Sequence, residues 1–284
     1  MSNIQLEAFG ELFQSPQAIE RYRNEDYGCP FDNRIGNCDK PNKDPSKYGN
    51  CSVQIGESKR IICPRRFYAN NYAILADVKS FIWPNELPIS CYCELQIRSK
   101  TVDGDSFHFG NLDWILVNQE NTSDFCGVEI QTDSTTNTGQ FRIGIQDLLS
   151  NNLSDRYTFG LNTLASFKGF LPQFIFKGQL FDDWKKPYCA IMQDELWEKF
   201  IRKFRIRRKE ITEYTTETFL FFIYSLVLDE ESNRYTIRNR RVYGSRWIDL
   251  LFSFSVEGDL LISLDEMVER IQRKANKGDP LLVI

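Results

Sequence analysis

Apolar and polar positions divide the chain into segments of two periods. ISCYCELQI, residues 89–97, alternates: Ile89, Cys91, Cys93, Leu95 and Ile97 fall on one side, and Tyr92, Glu94 and Gln96 on the other. That is the pattern of a half-buried strand, and it places Cys91 and Cys93 in the core. NLDWILV (111–117) predicts a second strand, with Asp113, Ile115 and Val117 on one face. CGVEIQTD (126–133) predicts a third strand and FRIGIQ (141–146) a fourth. KPYCAIM (186–192) reads as a further strand and FLFFIYSLVL (219–228) as a fully buried one. Helical spacing marks LEAFGELF (6–13), which brings Leu6, Phe9 and Phe13 together. Ser15-Pro16 then opens a helix that turns Ile19 and Tyr22 inward. Further helices are predicted over 71–83, stopped by Pro84, over 166–181 despite Gly169 and Pro172, and over 194–204. A last one spans 263–278, with Ser263 and Glu266 in a capping-box pattern and Gly278 as its stop. No repeat is visible. The pattern as a whole predicts an α/β (α+β) fold, a mixed sheet flanked by helices.

Residues 28–67 fit neither period. They are rich in Gly, Pro, Asn, Asp and Lys, and so long a loop needs something to hold it. Cys29, Cys38, Cys51 and Cys63 lie within it. Disulfides are rare in the cytosol, so a metal knot is the natural staple. The spacing contains no C-x-x-C, which leaves four unrelated buried thiols as the other reading. The chain therefore divides into N-terminal helices (1–27), a four-cysteine segment (28–67) and a main body (68–284), within one compact domain.

Composition narrows the chemistry. The 284 residues are 42% hydrophobic, 26% charged and 14% aromatic, which suits a globular protein with a well-filled core. The first residues carry charge rather than a signal-peptide pattern, and FLFFIYSLVL is too short to span a bilayer, so a cytoplasmic protein with no membrane partner is expected. His108 is the single histidine, which excludes zinc sites built from several histidines. It reads as a polar residue on the side of a strand. Hydrolysis must then rest on carboxylates, lysines or cysteines. The net charge is −4, yet 64–66, 199–209 and 237–241 are basic. A basic groove on an acidic protein can bind nucleic acid, because contacts depend on the local field; solvated faces are the alternative.

VEIQTD (128–133) poses the sharpest question. Side chains alternate along a strand, so Glu129 and Gln131 share one face, opposite Val128 and Ile130. Neighbouring strands can bring Asp113 and Glu94 beside them. Such a cluster is either a solvated edge or the oxygen cage of a hard cation such as Mg²⁺, which activates water and polarises a phosphoryl group.

Several segments occur together and in order: CPF (29–31), NCSV (50–53), IICPRR (61–66), CELQIRSKT (93–101), LDWIL (112–116) and VEIQTD (128–133), with LEAFGELF and KGQLF (177–181) fitting more loosely. In these the chain resembles the NotI-type restriction endonucleases of the PD-(D/E)XK nuclease superfamily. The resemblance implies that 68–284 form a PD-(D/E)XK core. In it Asp113 and Glu129 are catalytic Mg²⁺ ligands, and Glu94 is a further acid of the site. Gln131 stands where the wider superfamily has lysine, and Leu112 where it often has proline. Glutamine has neither charge nor basicity and can only orient water or substrate through hydrogen bonds. Cys29, Cys38, Cys51 and Cys63 become a rubredoxin-like site for structural iron, with zinc as the alternative. The implied protein is a type II restriction endonuclease of a prokaryotic cytoplasm. It is a homodimer that makes Mg²⁺-dependent double-strand cuts in GC-rich, CGGCCG-like palindromic DNA, beside a cognate DNA methyltransferase. Arg65, Arg66, Arg205, Arg207, Arg238 and Arg241 are the candidate DNA contacts, since arginine suits guanine in the major groove. The competing readings are a non-catalytic metal-knot module that binds DNA or protein, and a nuclease for RNA or repair intermediates.

Overall fold

A computed structural model of the chain describes residues 4–8, 10–12, 20, 28–34, 50–100, 103–104, 106–137, 140, 143–144, 147, 150, 152, 158–215, 218–232, 234–254 and 263–275. Strands β1 (Ile4–Ala8), β2 (Glu11–Leu12), β3 (Asn50–Ile55) and β4 (Ser58–Ile61) form a small antiparallel sheet in the order β2-β1-β3-β4. A 3-10 turn over Pro64–Tyr68 leads into helix α1, Ala69–Ile82. Strands β5 (Ile89–Lys100), β6 (Ser106–Asn118), β7 (Phe125–Gln131), β8 (Tyr188–Gln193), β9 (Lys209–Glu210), β10 (Phe219–Asp229) and β11 (Arg234–Ser245) form the main sheet, in the order β5-β6-β7-β8-β10-β11-β9. Helix α2 (Thr163–Asp183) precedes β8, and α3 (Asp194–Phe204) follows it. Helices α4 (Trp247–Ser253) and α5 (Leu264–Ala275) come last.

The pairs β7–β8 and β8–β10 are parallel and the other pairs of the main sheet antiparallel. Parallel neighbours need a crossover, which α2 and α3 supply. Strand β8 is buried at every position, as a central parallel strand covered on both faces should be. One core lies between the sheet and α1, around Leu75, Val78, Phe81, Val128, Ile191 and Phe222. The other lies beneath α2 and α3, around Phe170, Phe174, Phe181, Trp197, Phe200 and Phe221. A methyl group added at Gly127 would sit 2.5 Å from Phe181 Cζ, and one at Gly178 would sit 2.8 Å from Trp247. These two glycines let α2 lie close against the sheet. The small sheet joins the large one through Gln193, which accepts from Ile61 N–H at 2.9 Å and donates to Lys59 O at 2.6 Å.

Four expectations change. Residues 28–67, read as a long loop, contain β3 and β4, an antiparallel hairpin of the small sheet. LEAFGELF is a hairpin: β1 and β2 pair antiparallel around Gly10, whose φ of +75° makes the turn. The described residues of FRIGIQ, Ile143 and Gly144, are helical rather than in a fourth strand. Both edges of β7 are already taken, by β6 and β8. Cys91 and Cys93 are exposed rather than core residues, because β5 is the edge strand of the sheet. The Ser15-Pro16 cap, Ile19, Tyr22 and the Gly278 stop lie outside the described residues, whereas Ser263 Oγ does accept from Glu266 N–H at 3.1 Å. Helix α1 holds a surprise at its start. Asn70, Asn71 and Tyr72 have φ of 56°, 56° and 60°, a left-handed run of three residues before the right-handed helix. No helix among the described residues is long and apolar enough to cross a membrane.

Candidate active site

The site forms where β6 and β7 part. Their register runs through Ile115↔Gly127 to Trp114↔Val128 and stops. One rung further, the Ile130 N–H donates to Asp113 Oδ2 at 2.7 Å. A side chain thus takes the place of a ladder bond, and the strands diverge. Trp114 and Leu116 point into the α1 core, whereas Ile115 packs under α2, so Asp113 faces α2 as well. Val128 and Ile130 likewise sit in the α1 core, and Glu129 faces α2. The alternation of VEIQTD is therefore as expected, but Glu129 is buried rather than solvated, at 2% exposure.

On the other side of Asp113, β5 places Glu94. The pairs Cys93↔Trp114 and Leu95↔Leu112 flank an unpaired position at which Glu94 lies across from Asp113. Glu94 has a φ of +57° and is exposed. A bulky residue held in this conformation is uncommon, and the distortion opens the strand beside Asp113.

The electrostatics are those of two acids crowded together. Burial pushes Asp113 up from the usual carboxylate range, and the Ile130 amide and Lys177 oppose the shift. Glu129 is pushed up to about 8, first by burial and then by the neighbouring Asp113, against the pull of Lys177. Burial, reinforced by the two acids, also drives the Tyr188 hydroxyl upward. Mg²⁺ is commonly held by one or two carboxylates together with water and phosphate oxygens. Asp113 and Glu129 fit that need, and their mutual repulsion is what a cation relieves. Among the described residues no group of three or more histidine, cysteine or acidic side chains is gathered to hold a metal by itself.

Lys177, to which the sequence reading gave no role, belongs to this cluster. Its ammonium donates to Glu129 Oε1 at 2.5 Å, to Asn111 O at 2.5 Å and to Gln173 Oε1 at 2.9 Å, and its side chain is fully buried. The signal was available. Phe167, Phe170, Phe174 and Phe181 make an apolar stripe on α2, and Lys177 interrupts it at helical spacing. Gln131 lines a cavity of about 520 Å³ together with Asn50, Asp133, Ser134, Ser166 and Gln173. The cavity lies beside the carboxylates.

The other candidates scatter. Arg66 is interior, at 1% exposure: its guanidinium pairs with Glu7 at 2.9 Å, donates to Tyr235 O and lies over Phe31. It is thus not presented to phosphate as expected. Arg65 is partly exposed, 3.8 Å from Asp32. Arg241 lies in the lateral row Gln131↔Met192↔Ile223↔Arg241, so it shares the end of the sheet that carries the carboxylates, and Arg238 lies just beyond it. Arg205 and Arg207 follow α3 back to the opposite end, where Arg207 O accepts from Ser245 Oγ and Ser245 pairs with Phe219. His108 is an exposed strand residue whose Nδ1 lies 3.2 Å from the Gln96 amide. Cys51 and Cys63 are neighbours, with Cys63 N–H donating to Cys51 O at 3.1 Å; burial raises the Cys51 thiol, and Cys63 adds to that. Cys38 lies outside the described residues.

A sequence comparison with curated proteins returns no match. The family model described as Restriction endonuclease NotI matches residues 12–237, which include β6, β7, α2 and every member of the carboxylate cluster. The match covers most of the chain, which therefore belongs to the NotI family of restriction endonucleases, hydrolases that act on double-stranded DNA.

Proposed function

We propose that the chain is a type II, Mg²⁺-dependent deoxyribonuclease that cuts both strands of a GC-rich palindrome, with Asp113 and Glu129 as the metal ligands. The observation that supports it is the pair of carboxylates brought together where β6 and β7 part, with Glu94 across from them. When bound, Mg²⁺ would polarise the scissile phosphate and acidify an attacking water. The chain's own groups do the rest. Asp113 is aimed by the Ile130 amide, and Glu129 is held by Lys177. The Gln131 amide offers a donor and an acceptor to orient water or a phosphate oxygen. Arg238 and Arg241 line the same end of the sheet as the cut. A PD-(D/E)XK assignment of the core accords with a mixed sheet whose acids sit on adjacent strands.

The same reading includes a homodimer, one subunit for each strand of a CGGCCG-like site, and a cognate methyltransferase that protects host DNA. It also includes a structural iron, with zinc as the alternative, held by Cys29, Cys38, Cys51 and Cys63. The closeness of Cys51 and Cys63 supports that ion, whose four thiolates would leave no open position for substrate. Incubation with plasmid DNA in Mg²⁺, followed by mapping of the ends, is the decisive test. Ends that share one GC-rich palindrome are expected, and Asp113→Ala should abolish them while keeping specific binding. Random nicks, cleavage of RNA alone, or binding without cleavage would overturn the reading. For the knot, elemental analysis of protein purified without chelator should find one iron or zinc per chain, lost in Cys51→Ser.

A further inference from the structure

We propose that Lys177 is a positioning residue of this site, a buried ammonium delivered from α2 that fixes the Glu129 carboxylate against β6. The proposal rests on the nuclease reading above. Strand β7 has no cation of its own, since Gln131 stands two residues beyond Glu129. The nearest positive charge comes instead from a helix that crosses over the strand. Lys177 Nζ joins three elements: the Glu129 carboxylate of β7, the Asn111 carbonyl of β6 and the Gln173 side chain of α2. The groups held together in this way lie on the two strands that diverge at the site. The contact fixes a carboxylate whose strand has lost its β6 ladder partner, though it keeps β8 on the other side.

A purely structural role does not explain the residue well. A buried ion pair generally contributes less stability than apolar side chains of the same volume, because both ions lose their hydration. Phe170, Phe174 and Phe181 occupy the equivalent positions on the same stripe, and Lys177 alone departs from it. The backbone also makes room for it. A methyl group added at Gly110 would lie 3.4 Å from Lys177 Cε, and Gly110 has a φ of +95°, a conformation that glycine adopts without strain. Lys177 has no route to a phosphate, because its side chain is fully enclosed. It therefore acts through Glu129. Gln173 extends the contact outward, since it both accepts from Lys177 and lines the cavity beside Gln131.

The test is single-turnover cleavage of plasmid DNA at saturating Mg²⁺ by Lys177→Met, Glu129→Gln and the double variant, with Asp113→Asn as a separate arm. A misplaced catalytic group costs about 100-fold, so Lys177→Met should lose that much in rate with KM within about threefold of the parent. Because the lysine acts through Glu129, the double variant should be no slower than Glu129→Gln alone. A parental rate in Lys177→Met, or losses that add in the double variant, would overturn the proposal. If Lys177→Met does not fold, as read by near-UV circular dichroism, Gln173→Leu takes its place. A lower kcat at unchanged KM supports the proposal there, and a parental kcat refutes it. The arms separate the two ideas: full activity in Asp113→Asn would sink the nuclease site itself, whereas an inactive Asp113→Asn beside a fully active Lys177→Met would sink only the role of Lys177.

Discussion

Glu129 keeps its proton well above its ordinary 4.5, to about 8, because burial and Asp113 both oppose the charge. In the metal-free chain this has a definite sign. Between those two values the folded state holds a proton that the unfolded state has released, so stability falls as pH rises through the window. The thermal midpoint of metal-free protein should therefore drop between about pH 5 and about 8, and Glu129→Gln should flatten the decline. Added Mg²⁺ should raise the midpoint most at the alkaline end, since a cation favours the ionised pair; differential scanning calorimetry across pH reads all three effects. Arg66 makes a contrasting case. It is buried with Glu7, which Ser52 Oγ also approaches at 2.6 Å. Removing one partner of a buried pair strands the other, so Arg66→Ala should cost about 3–5 kcal/mol in denaturant titration. At its partly exposed neighbour, Arg65→Ala should cost far less.

Among the elements, the strands and helices with a strong period were legible, and the local distortions were not. NLDWILV, CGVEIQ and DELWEKFIRKF formed the elements their patterns predict, since a sheet face or a helix stripe must be buried. LEAFGELF failed because Leu6, Phe9 and Phe13 satisfy helical spacing while Gly10 provides a turn, and Glu7 is needed inside as the partner of Arg66. That Asp113 and Glu129 lie side by side was legible because their strands were. Lys177 interrupts the phenylalanine stripe of its helix visibly, but its partner Glu129 is apparent only once β7 is placed beneath it. Asn70-Asn71 hints at left-handed backbone, which asparagine tolerates, but nothing in the sequence extends it to Tyr72. Contacts hold the three residues: the Tyr72 hydroxyl donates to Asp32 Oδ1 at 2.9 Å, and its ring packs on Tyr68 and Trp114. Asparagine tolerates the left-handed region better than most residues and glycine loses more freedom on folding, so Asn71→Gly should change stability by less than about 1 kcal/mol in denaturant titration.

On the scale of the molecule, the basic residues that follow α3 and those of β11 serve opposite ends of the sheet. Arg241 is three strands from Gln131 in one lateral row, about 14 Å away, within reach of the same duplex. Arg241→Ala should weaken DNA binding and lower the slope of log affinity against log salt by about one if it meets a phosphate. Arg207→Ala, at the far end, should leave both unchanged; fluorescence anisotropy in Ca²⁺ measures the pair. The two sheets also differ in how they are held. Gln193 spans the junction with both ends of its amide. Gln193→Leu strands a buried amide and a carbonyl, at a cost of about 1–3 kcal/mol, and hydrogen exchange should show β3 and β4 loosening before β8 and β10.

The parting of β6 and β7 can also be seen as a zipper held at one tooth. The register that ends at Trp114↔Val128 would continue through Asp113↔Glu129 to Leu112↔Ile130, and the Asp113 carboxylate occupies the Ile130 amide that this last rung needs. A β-branched side chain at that position would release the amide and favour extended pairing. Asp113→Val should then let the strands close further, whereas Asp113→Asn keeps an acceptor and holds them apart. Slower hydrogen exchange of the Ile130 amide in the valine variant than in the asparagine variant would register that closure. Two variants that are equally dead in a cleavage assay would thus be dead for different reasons, one for lack of a ligand and the other for lack of a gap.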